Sequence, residues 1–415
     1  MRDAQVFYYS QSSQKNMAII GINASFLRKQ NTGIGQVSIN FLKKLIEVES
    51  QKSKVHKENM EFVLYLEEDI DPKLLEEIGS AATMFKKNIF LPAYKRDDLI
   101  RKIWWENFSL PKRIKEDECD IFLSMYQSAT VLCGKRRAKH IMIVHDVIPR
   151  LFPEYLNNWR KKIYQKFIER AINKADKIVA VSHRTEKDLV QHLNIDPKKI
   201  TVSYVDVDEI YKKEVTQEES QRVLKKYKLK PGYIYSGGGL EVRKNTESFL
   251  RAYKILLEAY GHASWLPKVV ISGKMMPELA PLVCDIAAVV EGLELQKEVS
   301  LLGFVSQEDL PALYKNSCLF VYPSFYEGFG LPILEAMNQG APVITARTSS
   351  LPEVGSDSVL YCKPGDVDDL ALVIKSVLTK EHLQAALSMK GKARAEHFSW
   401  ENFVGKIMHI ISEIK

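Results

Sequence analysis

The sequence has little of what would hold a chain in a membrane or direct it out of the cell. No apolar run in its 415 residues reaches the about 18–20 residues that a helix needs to cross a bilayer. Residues 1–16 also lack the apolar stretch of a secretory signal. We therefore expect a chain that stays in the cytoplasm.

Cysteine is scarce as well. The five cysteines are odd in number, widely spaced and never arranged as C-x-x-C. This pattern argues against a disulfide framework and against a thiolate zinc site. We expect all five to be small buried apolar residues, namely Cys119, Cys133, Cys284, Cys318 and Cys362.

The hydrophobic pattern predicts an α/β protein. A chain of 415 residues is too long for one ordinary core, so two domains are expected. Short β-branched runs alternate with longer helical patterns, which is typical of parallel sheets built from βαβ units. The expected strands cover residues 17–23, 62–66, 121–124, 141–145, 177–181 and 201–205, then 233–236, 268–272, 299–302, 319–322 and 342–345.

Basic charge is concentrated in the first half of the chain. Residues 1–205 contain 35 Lys and Arg against 25 Asp and Glu, whereas the rest contains 24 against 27. The clusters at 135–137 and 160–162 are either solvated helix faces or a surface that attracts an anionic partner. An anionic inner-membrane surface or an acidic glycolipid fits this charge. No nucleic-acid-binding motif is present, so nucleic acid is not an expected partner.

The segment from Tyr322 to Met337 carries the clearest functional pattern. A strand is expected to end at Tyr322, a loop with Gly328 and Gly330 follows, and Pro332 suits the first turn of a helix. The amino end of that helix can receive an anion such as a diphosphate. One turn further on, Glu335 can accept hydrogen bonds from vicinal hydroxyl groups.

This segment, with Glu327 and Glu335 around Phe-Gly-Leu-Pro, resembles the signature of glycosyltransferase family 4. The resemblance implies a retaining enzyme of the GT-B fold, in which two Rossmann-like domains face a central cleft. It implies that Glu327 contacts the donor sugar, that Glu335 holds the nucleotide ribose, and that the backbone of residues 328–331 meets the sugar and diphosphate. The residues of that backbone are Gly328, Phe329, Gly330 and Leu331. The domains are expected at 1–205, for the acceptor, and 206–395, for the donor, with a helix at 396–415 that crosses back to the first domain.

Two segments of the first half extend the resemblance. Thr32-Gly33-Ile34-Gly35 is similar to the family's glycine loop, which implies that Gly33 and Gly35 approach the donor phosphates before a helix that starts at Gly35. A Gly-x-Gly turn alone is weak support. His145 and Asp146 resemble the family's His-Asp pair: His145 is expected to face the transferred sugar, and Asp146 to fix its hydroxyls or orient the loop.

The stretch from Ser236 to Asn245 resembles the family's segment of basic phosphate ligands. Positive charge near a leaving diphosphate lowers the barrier to sugar transfer, so Arg243 and Lys244 are the expected ligands. Some family members carry another arginine six residues before the lysine, where this chain has Gly238. The loop with Val305 is expected near the nucleobase through its backbone. Upstream, the segment around Trp104-Trp105-Glu106 resembles part of an acceptor domain.

Three Asp-x-Asp triplets raise the possibility of a metal site. They begin at Asp69, Asp206 and Asp366. Asp366 is in a position typical of a helix N-cap, and none of the triplets adjoins the expected sugar site. We therefore expect no metal ion and no cofactor, because basic residues and a helix terminus supply the positive charge.

These features together predict a hexosyltransferase that uses a nucleotide-diphosphate sugar. The combined motifs resemble bacterial mannosyltransferases of lipopolysaccharide and O-antigen assembly, which implies GDP-mannose as donor and a lipid-linked or glycan acceptor. Peripheral attachment to the inner membrane is a further expectation. A glycosyl phosphorylase or sugar-phosphate synthase on the same fold, and a non-catalytic partner subunit, stay open as alternatives. A dehydrogenase is disfavoured because no complete Gly-x-Gly-x-x-Gly fingerprint is present.

Overall fold

A computed structural model gives the architecture of the chain. It describes residues 17–52, 60–72, 74, 76, 84–90, 97–135 and 137–414. The amino-terminal segment 1–16 and Arg136 of the basic cluster lie outside the described residues. No helix within the described part is long and apolar enough to span a membrane.

The first half forms a seven-stranded parallel sheet. Its strands lie in the order β3-β2-β1-β4-β5-β6-β7, and they comprise β1 (Ala18–Asn23), β2 (Met60–Leu66), β3 (Phe85–Ile89), β4 (Ile121–Ser124), β5 (Lys139–Val144), β6 (Lys177–Ala180) and β7 (Ile200–Val202). The helices that flank this sheet are α1 (Gly33–Lys52), α2 (Asp98–Trp104), α3 (Leu110–Glu116), α4 (Ile148–Leu151), α5 (Trp159–Lys174) and α6 (His183–Leu193).

The second half repeats this arrangement with six parallel strands. Their order is β10-β9-β8-β11-β12-β13, with β8 (Tyr233–Ser236), β9 (Val269–Ile271), β10 (Val299–Leu301), β11 (Ser317–Tyr322), β12 (Val343–Ala346) and β13 (Leu360–Cys362). The helices are α7 (Gln217–Lys226), α8 (Thr246–Tyr260), α9 (Ile286–Gly292), α10 (Leu310–Lys315), α11 (Leu331–Asn338), α12 (Leu351–Gly355), α13 (Val367–Leu378), α14 (Glu381–Ala395) and α15 (Trp400–Ile414).

The last helix returns to the first half of the chain. The rings of Phe403 on α15 and Phe41 on α1 lie 6.3 Å apart in an edge-to-face arrangement. The indole Nε1 of Trp400 donates to the carbonyl of Val207 at 2.8 Å. Because α15 presents a buried apolar face to α1, it ties the end of the chain to the amino-terminal sheet, as expected.

Two kinds of expectation were wrong in the fold. The strands β3 and β13 were not predicted: β3 has the exposed, lysine-rich sequence FKKNI, and β13 has only three residues. The cysteine expectation holds for Cys119 and Cys362, which are buried, but Cys284 and Cys318 are half-buried and Cys133 is exposed. All five cysteines are free thiols. The side-chain carboxylate of Asp366 does cap α13, accepting from the amide of Asp369 at 2.9 Å.

Candidate active site

Each sheet has one point where the strand order reverses. In the first sheet β1 and β4 are neighbours, and in the second sheet β8 and β11 are neighbours. In open parallel sheets, the crevice at the carboxyl ends of such strands is the usual ligand site. The loops that carry the expected donor residues follow β8 and β11, and His145 follows β5, next to β4.

Glu327 lies at the centre of a buried polar cluster. Its Oε1 is 2.9 Å from both Arg243 Nη1 and Lys244 Nζ. The same oxygen accepts from the hydroxyls of Ser324 at 2.7 Å and Tyr322 at 2.8 Å. Lys244 also donates to the Tyr322 hydroxyl at 2.5 Å. The structure therefore brings together three residues that the sequence predicted as one site.

Charge pairing controls the protonation of this cluster. Burial by itself raises the pKa of Glu327, but the attraction of Lys244 and Arg243 outweighs burial and lowers that pKa to about 2. Burial and the neighbouring Arg243 lower the pKa of Lys244. Glu327 is consequently a carboxylate at neutral pH, held between two cations that a leaving diphosphate could also use.

The loop before α11 lies against the other half of the chain. Gly330 has a φ of +116°, a conformation that favours glycine, and it precedes Pro332 in the first turn of the helix. A side chain at Gly328 would overlap the carbonyl oxygen of His145 and approach Cβ of Asp146 to 2.9 Å. Only glycine therefore allows this close approach.

The side chains of Phe329 and Val305 are packed against other apolar residues. The ring of Phe329 packs against Tyr204 and Phe398, with centroids 5.9 and 5.7 Å away, and its carbonyl accepts from Ser350 at 2.6 Å. Val305 is buried in the apolar core. Their side chains are thus already occupied in packing, and a contact of their backbone atoms with a donor stays a prediction. Leu331 is the first residue of α11 and is half-buried.

Glu335 is held inside the second half of the chain. Its Oε2 accepts from the Tyr314 hydroxyl at 2.8 Å. Burial raises its pKa to about 7, although the Tyr314 hydrogen bond and the charge of Lys244 act in the opposite direction. This carboxyl is therefore half-protonated near neutral pH in the absence of a ligand.

His145 and Asp146 shape the facing loop. Nε2 of His145 lies 2.9 Å from the carbonyl of Met125, and because a carbonyl only accepts, Nε2 carries the proton. Burial lowers the pKa of His145, which makes the ring neutral. Asp146 Oδ1 accepts from the amide of Ile148 at 2.9 Å at the start of α4, so at least one oxygen orients the loop.

Gly33 and Gly35, the two glycines expected near the donor phosphates, differ in how much space surrounds them. Gly33 and Gly35 both lie in the first turn of α1, so the helix begins two residues earlier than expected. Thr32 caps this turn, since its hydroxyl accepts from the amide of Gly35 at 3.1 Å. A side chain at Gly35 would overlap the carbonyl of Lys29, whereas Gly33 faces open space.

Gly238 cannot be replaced by the arginine that some relatives carry. Its φ is +95°, and an added Cβ would lie 2.8 Å from Cγ of Pro332 and 3.2 Å from the Tyr322 ring. Arg243 therefore remains the second cation beside Lys244.

Several polar groups of the cluster were not predicted. Besides Tyr322 and Ser324, the hydroxyl of Tyr155 and Oε2 of Glu241 are buried without a hydrogen-bond partner among the described residues, as is Nε of Arg243. Buried polar atoms normally have partners, so these three atoms depart from the usual pattern.

Polar contacts join the two halves of the chain beside this cleft. The carboxylate of Glu353 on α12 accepts from the amides of His183 at 2.8 Å and Arg184 at 2.7 Å, which begin α6. It also accepts from the Tyr204 hydroxyl at 3.2 Å. A carboxylate at a helix amino end is stabilising, so Glu353 caps a helix of the opposite half.

The Glu327 loop makes further contacts across the cleft. Ser182 donates through its hydroxyl to the carbonyl of Gly328 at 2.6 Å, and the Tyr326 hydroxyl donates to Asp188 at 2.5 Å. In the described part of the chain, no group of three or more His, Cys, Asp or Glu side chains could hold a metal ion.

Comparison with known proteins finds a matching family model in each half of the chain. The family model described as Glycosyl transferases group 1 matches residues 216–394, and Glycosyltransferase Family 4 matches residues 71–209. O-antigen chain mannosyltransferase B of Escherichia coli is 29% identical over 384 residues, which cover 89% of this chain and 93% of that protein. O-antigen chain mannosyltransferase RfbU of Salmonella typhimurium is 26% identical over 378 residues, covering 88% and 92%.

Solved structures share the architecture. The Anabaena protein Alr3699/HepE, in complex with UDP and glucose, has a TM-score of 0.70 at 17% identity and covers 96% of this chain and 100% of that chain. WaaG, a glycosyltransferase involved in lipopolysaccharide biosynthesis, has a TM-score of 0.69 at 16% identity and covers 95% and 99%. The chain thus belongs to the glycosyltransferases and is a nucleotide-sugar-dependent enzyme of GT-B fold, with a family 4 amino-terminal half and a group 1 carboxyl-terminal half.

Proposed function

We propose that this enzyme is a retaining hexosyltransferase that moves mannose from GDP-mannose to a hydroxyl of a lipid-linked or polysaccharide acceptor during surface-glycan synthesis. The observation that carries the proposal is the buried contact of Glu327 with Arg243 and Lys244, directly before the amino end of α11. The mannosyltransferase names of relatives that span most of the chain favour mannose and an O-antigen acceptor.

In this mechanism the donor diphosphate takes over the cations that Glu327 now holds. Lys244 and Arg243 neutralise the charge that grows on the leaving phosphate, and the amino end of α11 adds a partial positive charge. Glu327 positions the sugar, and Glu335 accepts from the ribose hydroxyls. The acceptor hydroxyl attacks on the face that the diphosphate leaves, and the departing phosphate takes its proton. The anomeric configuration is thereby retained.

The same arrangement makes a metal ion unnecessary. In the proposed complex Arg243, Lys244 and the amino end of α11 supply the positive charge that the diphosphate needs. Turnover should therefore persist in excess EDTA. A complete loss of activity in EDTA that added Mg²⁺ restores would contradict this part of the proposal.

The location we propose is the cytoplasmic side of the inner membrane. Part of the basic charge of the first half is used internally, since Arg137 forms two hydrogen bonds with Asp176 and Arg160 two with Asp97. Half-buried Lys161 and exposed Lys162 remain for a peripheral contact with anionic lipid. Co-sedimentation with phosphatidylglycerol vesicles, absent with phosphatidylcholine vesicles, is the expected result.

Replacing Glu327 tests the catalytic proposal. The Glu327→Ala variant removes the sugar contact and leaves two buried cations unpaired, so kcat should fall by about 100-fold or more. The matched control is Glu258→Ala on α8, whose side chain is 64% exposed and whose activity should be unchanged. Activity of Glu327→Ala within tenfold of the unmodified enzyme would contradict the assignment.

The donor is identified by thermal shift. Specific binding raises the melting temperature by mass action, so a panel of GDP-mannose, GDP-fucose, UDP-glucose and UDP-galactose ranks the base and sugar. The largest shift is expected with GDP-mannose. A larger shift with a UDP sugar would retain the transferase and correct its donor.

A further inference from the structure

Four basic side chains gather at the point where the strand order of the first sheet reverses. Arg28 and Lys29 end the short 3-10 helix that follows β1, and Arg101 and Lys102 lie on α2. We call these four residues the cation cluster. They lie at the kind of crevice where parallel sheets bind ligands, yet the donor site described above uses none of them.

The Tyr126 side chain joins this crevice to the active site. Its hydroxyl lies 3.3 Å from Asn23 Nδ2 and 3.2 Å from Ser25 Oγ, which links the loops after β4 and β1. The preceding residue, Met125, accepts the hydrogen bond from the His145 ring. His145 therefore contacts both the Glu327 loop, through Gly328, and the segment next to the cation cluster.

The two arginines of the cluster share a single acid. Glu67 is only 4% exposed, and its two oxygens lie 3.7 Å from Arg28 Nε and 3.3 Å from Arg101 Nε. Arg101 Nη2 also lies 3.3 Å from Asp98, whose side chain is 80% exposed. Most of the compensation by Asp98 is therefore lost to solvent screening.

The two lysines have still less compensation. Lys102 Nζ is 3.9 Å from Glu106 Oε1, but the Glu106 carboxylate already accepts from the Tyr126 and Tyr164 hydroxyls at 2.7 and 2.6 Å and from the Ala129 amide at 2.9 Å. Within the described chain, Lys29 has no carboxylate at ion-pair distance. The cluster thus carries more positive charge than its acids neutralise.

The two lysine side chains lie over the same aromatic ring, with Lys29 exposed and Lys102 half-buried. Lys29 Nζ and Lys102 Nζ lie 5.7 and 5.2 Å from the centroid of the same ring, Phe26. Burial, then the charges of Arg28 and Lys102, lower the pKa of Lys29. A bound anion would relieve this repulsion, because opposite charge favours the charged form of each lysine.

We propose that the cation cluster binds a diphosphate group carried by the acceptor, beside the hydroxyl that receives the sugar. This inference rests on the proposed transferase function. Arginine supplies a planar fork and lysine a compact charge for phosphate oxygens. The Arg243–Lys244 pair holds the donor diphosphate on the opposite sheet, so the two diphosphates occupy separate sites.

Isothermal titration with inorganic pyrophosphate and with geranyl diphosphate tests the proposal. The donor site is first filled with GDP or UDP, whichever raises the melting temperature more. The Lys29→Gln/Lys102→Gln variant should then bind both probes at least tenfold more weakly. The matched control is Lys225→Gln/Lys230→Gln, which makes the same charge change at two exposed lysines of the second half and should bind as the unmodified enzyme does.

The outcomes separate the possible sources of the anion. Equal binding of both probes means that the site recognises the diphosphate alone, and binding of geranyl diphosphate only means that it needs a lipid-linked diphosphate. Binding of both probes by the Lys29→Gln/Lys102→Gln variant within twofold of the unmodified enzyme overturns the proposal. So does a variant that loses only its binding to phosphatidylglycerol vesicles, since the cluster would then be a membrane contact. Failure of the proposed transferase function is recognised by a different result: no nucleotide sugar raises the melting temperature.

Discussion

Glu335 combines a buried carboxyl with a position one turn inside α11. Its pKa, raised to about 7 mainly by burial, differs from the pKa of about 2 of Glu327 because only Glu327 touches two cations. Two glutamates eight positions apart thus have different protonation at neutral pH. In the unliganded enzyme the stability contributed by the Glu335 proton is fully present below its ordinary pKa of 4.5 and is lost as pH rises through about 7.

Donor affinity should consequently depend on pH. In the proposed donor complex, ribose hydroxyls that donate to Glu335 would favour its ionised form, so binding at pH 6 would require release of a proton. With a pKa of about 7, the nucleoside diphosphate should bind about tenfold more weakly at pH 6 than at pH 8. Titration calorimetry at pH 6, 7 and 8 measures this ratio.

The Glu335→Gln variant is the control for this prediction. It retains the size of the side chain but cannot ionise, so the ratio of its dissociation constant to that of the unmodified enzyme should change with pH. That ratio also cancels the titration of the nucleotide phosphates. A ratio that stays constant from pH 6 to pH 8 would show that Glu335 does not ionise on binding.

Local sequence predicted the charged residues of the site but not their partners. Glu327 and Glu335 stand in one motif and Arg243 and Lys244 in another, and the family resemblance grouped the two motifs. The contact of Glu327 with Arg243 and Lys244 depends on how β8 and β11 pair in the sheet, which no local pattern specifies. The sequence therefore predicted the charged residues of the cluster better than the network that sets their pKa values.

At the scale of elements, close packing against the first half of the chain restricts which residues the loop before α11 can contain. Gly328 lies against the backbone of His145, and its carbonyl accepts from Ser182. The correct start of α1 could have been predicted from sequence, because Thr32 is a favoured N-cap residue. With Thr32 as the cap, the helix begins at Gly33 rather than at Gly35. The contact between Gly328 and His145 joins residues that are far apart in sequence, and no local sequence pattern predicts it.

A methyl group at Gly328 should therefore impair catalysis more than stability. The Gly328→Ala side chain would force the loop away from His145, and misplacement by about 1 Å can cost about 100-fold in rate. We expect kcat to fall by about that factor while the donor dissociation constant changes little, as steady-state kinetics and calorimetry would measure.

The control for this element is Gly405→Ala on α15. A Cβ there meets nothing within 4 Å, and replacing a helical glycine by alanine stabilises by about 0.5–1 kcal/mol. Its kcat should equal that of the unmodified enzyme and its melting temperature should rise. Equal kcat values for both variants would show that the approach of Gly328 to His145 plays no part in turnover.

In the whole molecule, the two sheets are joined by contacts of very different kinds. The α15 helix packs on α1 through apolar side chains, whereas Glu353, Ser182 and Tyr326 make polar contacts across the cleft. The fold class and the return of the last helix were expected from sequence and family resemblance. The polar contacts were not, because they depend on the relative placement of the two sheets rather than on any one motif.

Glu353 should hold the closed form. It caps α6 from the opposite half, and loss of a helix cap costs about 0.5–2 kcal/mol. The Glu353→Ala variant should therefore populate an open form, with a larger radius of gyration by small-angle X-ray scattering and a kcat/KM lower by about 2- to 30-fold. The matched control is Asp366→Ala, which removes a cap within one half, since Asp366 caps α13 beside it. That control should lower the melting temperature without changing either the radius of gyration or kcat/KM. If both variants lowered kcat/KM equally, the effect would be general destabilisation, and Glu353 would have no role in domain closure.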